Sequence, residues 1–173
     1  GVGLLQAAGK AHTIKVPTEI VSVEDVRYWM EHTSESSLWG VVKSVRDAGM
    51  HPPLYYFIVH YSIKYFGNSA FSLRMISTVF SLISILFLYK LVKKLSDETV
   101  ALCCALFFAI SSYCIVYGTL ARPYTLACFL ALLSTVQAYD LKEQVGAGLK
   151  KRKVLAYVVT AVLGLYTIYH FVF

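Results

Sequence analysis

Two long stretches without a single Asp, Glu, Lys or Arg limit what this chain can fold into more than any other feature. Residues 99–121 are free of these charges over 23 positions, and residues 154–173 over 20. A helix crossing roughly 30 Å of hydrocarbon at 1.5 Å per residue needs about 20 mostly apolar residues, so each stretch predicts a transmembrane span. Residues 123–139 are uncharged for 17 positions, and residues 65–89 carry only Arg74. The expectation is an all-α membrane bundle of about four spans, over 69–90, 98–119, 122–140 and 154–173. Composition agrees: 57% of residues are hydrophobic and 15% charged, with a mean hydropathy of +0.61. Disordered, collagenous, disulfide-scaffold and free-standing nucleic-acid-binding chains are excluded, because each needs polar, Gly-rich, Cys-dense or base-striped sequence over most of its length.

The distribution of bases orients the spans, since Lys and Arg in short loops are retained on the cytoplasmic side. Residues 90–98 and 141–153 hold eight bases in 22 residues, whereas the connection between the second and third spans holds only Arg122. The two basic loops are therefore expected in the cytoplasm, and they explain much of the +6 net charge without nucleic acid. Residues 1 to about 70 and the Arg122 turn then face the extracytoplasmic or lumenal side of a plasma or endoplasmic reticulum membrane.

Residues 1–50 hold six of the ten acids and read as a loop with helices of its own. Leu38, Val41, Val42 and Val45 fall at i, i+3, i+4 and i+7, with N-cap candidates at Ser34 to Ser37 and Gly49 placed to end the helix. Residues 51–67 are apolar but too short to span comfortably, so they predict an interfacial helix. Its tyrosines at 55, 56, 61 and 65 suit the headgroup zone. Residues 68–173 form the expected bundle. The start at Gly1 and the stop at Phe173 inside an apolar run predict an N-terminal piece of a longer polytopic protein. All four cysteines lie in expected spans, which suggests packing rather than disulfides or zinc.

Candidate chemistry is confined to polar groups at the outer boundary. Arg74 and Arg122 are each the only charge in a long apolar stretch and fall at the same expected membrane face. A guanidinium there can pair bidentately with a phosphate, or can simply snorkel to the interface. His51-Pro52-Pro53 reads as a rigid helix start whose N–H groups attract anions, with His51 as a cap or a substrate contact. Glu19, Glu24 and Asp25 form the acidic cluster of the loop. A carboxylate there can serve as general base, or ligate a divalent metal that neutralises a phosphate. Ser22 to Asp25 equally fits a capping box, in which Asp25 only satisfies helix N–H groups.

The order HPPLYYFIVHYSIKYFGNSAFSLRMIS, a basic-ended span, YGTLARPYTLACFLALLS and GLYTIYHF, over residues from about 20 to 173, resembles the polytopic glycosyltransferases of the protein O-mannosyltransferase and aminoarabinose transferase superfamily, family 39 of the GT-C fold. The resemblance implies a transferase that moves a sugar from a polyprenyl- or dolichyl-phosphate carrier to a protein, lipid or glycan acceptor on the extracytoplasmic side. It implies no nucleotide cofactor and leaves a divalent metal as a candidate. Family members carry an Asp-Glu pair in the first outer loop. Here Glu24-Asp25 is reversed in order and stands closer to the expected spacing from His51, with Glu19 as the reserve. Arg74 and Arg122 match arginines that approach the carrier phosphate or active cavity, and Tyr124 matches the aromatic of the same turn. Family members usually have more spans than this chain supplies. The alternative reading is a non-catalytic membrane assembly or lipid-binding subunit, in which the arginines anchor and the acids cap. A transporter core is disfavoured because no span shows paired Gly/Pro interruptions or intramembrane acids.

Overall fold

A computed structural model describes residues 7–8, 37–48, 52–67, 69–144 and 150–168 of the chain. Among them the regular structure is entirely helical, with no strand. The chain divides into two compact units, Gly1–Ile76 and Ser77–Phe173.

The described part of the first unit is built around two helices, α1 (Leu38–Ala48) and α2 (Leu54–Phe66), packed on each other. Ser37 starts α1 as its sequence suggests: its Oγ accepts from the Gly40 N–H at 3.1 Å. Val41, Ser44 and Val45 are buried along one stripe, while Trp39 is 73% exposed. Gly49, expected to end this helix, lies outside the described residues. On α2 the buried face carries Tyr55, Tyr56, Val59, His60 and Ile63. His60 shares a 2.8 Å hydrogen bond between its Nδ1 and the Ala7 carbonyl.

The tyrosines of α2 therefore divide in a way that composition did not indicate. Tyr55 and Tyr56 lie on the buried face of the helix and belong to the unit's interior. Tyr61 and Tyr65, one turn apart, are exposed and stacked at 6.5 Å. The chain leaves α2 through Gly67, whose φ of +80° suits a residue without Cβ. A serine clasp follows, in which Ser72 Oγ donates to the Gly67 carbonyl at 2.7 Å and Ser62 Oγ to the Ser72 carbonyl at 2.8 Å.

The next helix, α3 (Ala70–Leu95), begins in the first unit and continues into the second. It is followed by α4 (Glu98–Ala109), α5 (Ser112–Thr119), α6 (Tyr124–Lys142) and α7 (Lys151–Leu165). Helices α3 and α6 are each long and apolar enough to cross a bilayer, and α4 with α5 passes the same test as a pair bent by 50°. Helix α7 has 15 residues, and residues 169–173 beyond it are not among those described.

The 99–121 stretch, expected as one uninterrupted span, is thus two helices. Ser111 makes the break. Its Oγ donates to the Phe108 carbonyl at 2.6 Å, closing α4, and accepts from the Cys114 N–H at 3.2 Å, capping α5. One hydroxyl so serves both a freed carbonyl and a freed amide, which makes an interruption tolerable in an apolar surrounding.

Contacts within the second unit fix the direction of its helices. Ser77 Oγ donates to the Arg122 carbonyl at 3.4 Å, and Lys94 Nζ pairs with Asp140 at 2.6 Å. Ser77 of α3 and the start of α6 are therefore neighbours, and so are the ends of the two helices. Between them Phe129 packs on Phe80 and Phe87 at 5.5 and 5.4 Å. The α4–α5 pair runs the opposite way, from the Lys93–Glu98 ion pair at 3.0 Å to the bond between Thr78 Oγ1 and the Gly118 carbonyl at 2.8 Å. Helix α7 packs back on α6. The basic connections consequently share one end of the unit, and the Arg122 turn occupies the other.

Side-chain placement has the order expected in hydrocarbon rather than in water. Ser77, Ser81 and Ser84 on α3 are buried, whereas Leu82, Leu86, Leu102, Leu106 and Phe107 are exposed. Lipid tails compete with apolar side chains but not with hydrogen bonds, so small and hydroxyl-bearing residues mediate the contacts between helices.

Candidate functional site

Residues Leu120–Tyr124 form the turn at the end of the second unit opposite the basic connections. Pro123, with φ −70°, is fully buried and sets the start of α6. The Arg122 N–H donates to the Leu120 carbonyl at 2.8 Å, and the Arg122 carbonyl accepts from Ser77. Both backbone groups of Arg122 are thereby satisfied inside the protein while its side chain is exposed. Arg122 makes no ion pair among the described residues.

A run of aromatic rings from α4 and α5 leads to this turn. Tyr117 meets Tyr124 edge-on at 5.0 Å, Tyr113 lies 4.9 Å from Tyr117, and Phe108 lies 6.2 Å from Tyr113. Tyr113 Oη also donates to the Tyr124 carbonyl at 3.1 Å. These rings pack against the turn on one side, and Ser77 meets its backbone through a long hydrogen bond on the other. The guanidinium is left exposed on a turn whose main-chain groups are satisfied within the protein.

The remaining sequence-derived candidates divide by location. Tyr124 shares that turn. Arg74 is exposed near the start of α3, in the part of that helix assigned to the first unit. Glu19, Glu24, Asp25 and His51 all lie outside the described residues. Among the described residues no three His, Cys, Asp or Glu side chains gather as a metal site would require.

Sequence reasoning passed over Ser77, Tyr113 and Tyr117. Ser77, Ser81 and Ser84 recur at helical spacing in an apolar span, a signal that marks a packing face. No comparable signal distinguishes Tyr113 and Tyr117 from the other tyrosines, because their role depends on the break at Ser111. That break also opens a groove of about 270 Å³ beside α3, bordered by Thr78, Ser81, Leu82, Ile85 and Ile115. It is largely apolar and contains no acid or base.

A sequence model of the family described as dolichyl-phosphate-mannose-protein mannosyltransferase matches residues 50–172, a range that includes Arg74, the Arg122 turn and every helix from α2 onward. No curated protein and no solved structure matches the chain.

Proposed function

The chain belongs to the dolichyl-phosphate-mannose-protein mannosyltransferase family, a group of membrane glycosyltransferases of GT-C type, and from that membership we propose that it moves a sugar from a dolichyl- or polyprenyl-phosphate carrier to a hydroxyl on the extracytoplasmic or lumenal side. The acceptor oxygen attacks the anomeric carbon, the bond from that carbon to the phosphate oxygen breaks, and the lipid phosphate departs with both bonding electrons. A carboxylate, Glu24 or Asp25 with Glu19 in reserve, takes the acceptor's proton; if a divalent ion takes part, the same carboxylates would hold it and it would supply charge neutralisation for the leaving phosphate. Arg122 and Arg74 stabilise the charge that grows on the leaving group. His51 and Tyr124 line the substrate.

The observation that carries this reading is the mounting of Arg122. An arginine that merely snorkels needs no fixed backbone, yet this one sits on a turn held by Ser77, Pro123 and a stack of tyrosines. It lies inside the matched family range, at the end of the unit opposite the cationic connections. By the distribution of Lys and Arg, that end is extracytoplasmic.

The test is transfer by the complete protein in native membranes, from dolichyl-phosphate mannose to an acceptor peptide, with the amount of inserted protein measured in parallel. Changing Glu24→Gln and Asp25→Asn together is expected to lower turnover on the order of 10²- to 10⁴-fold, as loss of a general base does. Arg122→Ala is expected to lower it roughly 10- to 100-fold, as loss of a hydrogen bond to a charged partner does, and Arg122→Lys less. Undiminished turnover in the carboxylate double variant removes those residues from the mechanism, and an inert Arg122→Ala change reduces the turn to an anchor.

A further inference from the structure

The end of the second unit away from Arg122 carries a surface that the transfer reaction does not use. Residues 90–98 and 140–153 contain eight bases and four acids, and the helices bring many of them together. The Lys94–Asp140 ion pair and the bond from Tyr139 Oη to the Lys94 carbonyl at 3.3 Å join the ends of α3 and α6. The short connection from Lys142 to Lys150 places the beginning of α7 at that same end.

Three of the four acids are already engaged. Asp140 pairs with Lys94, Glu98 pairs with Lys93, and Asp97 accepts from the Val100 N–H at 2.9 Å. Lys90, Lys142, Lys150, Lys151, Arg152 and Lys153 are exposed and make no ion pair among the described residues. Only the exposed Glu143 remains against these six cations. Four of the six are consecutive, and three of those form the first turn of α7, which has no acidic side chain. Helix dipole and side-chain charge there have the same sign, so the protein leaves this positive field uncompensated.

Apolar surface begins at once beyond the cations. Leu155 is 63% exposed, Val158 48% and Val159 47%. A partner that satisfies both surfaces needs an anionic head on a hydrocarbon body. We propose that this end of the protein binds anionic phospholipids, with Lys150 to Lys153 and Lys142 holding the headgroup phosphates and the outer face of α7 contacting the acyl chains. The binding is independent of sugar transfer and rests on no residue assigned to it.

The experiment uses the complete protein in nanodiscs of mixed phosphatidylglycerol and phosphatidylcholine, with the lipids that remain bound after release counted by native mass spectrometry. Phosphatidylglycerol is expected to be retained preferentially by the parent protein. The change of Lys150 and Lys151 to Gln is expected to cut that preference by up to roughly five-fold per cation, with Arg at both positions preserving it. Equal retention of the two lipids by the parent overturns the proposal without reference to any variant. So does an unchanged preference in the Gln variant. If sodium phosphate displaces phosphatidylglycerol at matched concentration, the surface is a site for soluble anions and the lipid assignment fails.

Discussion

Gly118 is where the arrangement of the second unit can be tested most sharply. A Cβ placed on it would stand 3.1 Å from Ser81 Oγ and 3.3 Å from Ser81 Cβ. Rotating the hydroxyl relieves the first contact at the expense of its bonds to the Cys114 carbonyl and Sγ, at 3.3 and 3.0 Å. Nothing short of moving α3 away from α5 relieves the second. In water, Gly→Ala in a helix would recover up to about 1 kcal/mol of propensity. In hydrocarbon the segment stays helical whether docked or not, so most of that gain is absent. Overpacking of a close contact costs about 1–3 kcal/mol, which places Gly118→Ala near the lower figure and Gly118→Leu near the upper. Separation also lengthens the bond from Thr78 to the Gly118 carbonyl, 2.8 Å in the parent, and such interhelical bonds contribute about 0.6 kcal/mol on average. Reversible unfolding of the complete protein in bicelles by a denaturing detergent measures the loss. Gly118→Ala combined with Ser81→Ala is expected to recover about 0.5 kcal/mol relative to the summed single changes, because the 3.1 Å contact disappears and the 3.3 Å contact stays. A Gly118→Leu variant within 0.5 kcal/mol of the parent would refute the close approach of α3 and α5.

Two further expectations concern the break in the second span and the direction of the bundle. Ser111→Ala removes the cap of α5 and should cost about 1 kcal/mol, read as faster amide exchange at Cys114 and Ile115. Unchanged exchange there would mean that the bend does not depend on the hydroxyl. A Lys151→Cys change, in a background with the four native cysteines replaced, should be unreactive toward a membrane-impermeant maleimide in intact cells and reactive once the plasma membrane alone is permeabilised. Labelling of intact cells would put the basic end outside and the Arg122 turn inside.

Sequence and structure agree where one physical effect dominates. The cost of exposing charge to hydrocarbon makes α3 and α6 visible as apolar runs, and the spacing of Val41 and Val45 after Ser37 makes α1 visible as a capped amphipathic helix. Hydropathy averages over a window, however, and two serines among apolar residues scarcely change it. Ser111 and Ser112 therefore left no trace in the 99–121 run, although Ser111 turns one span into two helices. The tyrosines of α2 show a different limit: composition treats all four alike, while their helical phase buries Tyr55 and Tyr56 and exposes Tyr61 and Tyr65. The same limit applies at the site. An isolated charge made Arg122 conspicuous, but whether an arginine anchors or grips depends on how firmly its backbone is held. The groups that meet that backbone are Ser77, 45 residues earlier, and Tyr113 and Tyr117 on α5. A site residue is thus found by its cost to the membrane and understood only through the neighbours that keep it in place.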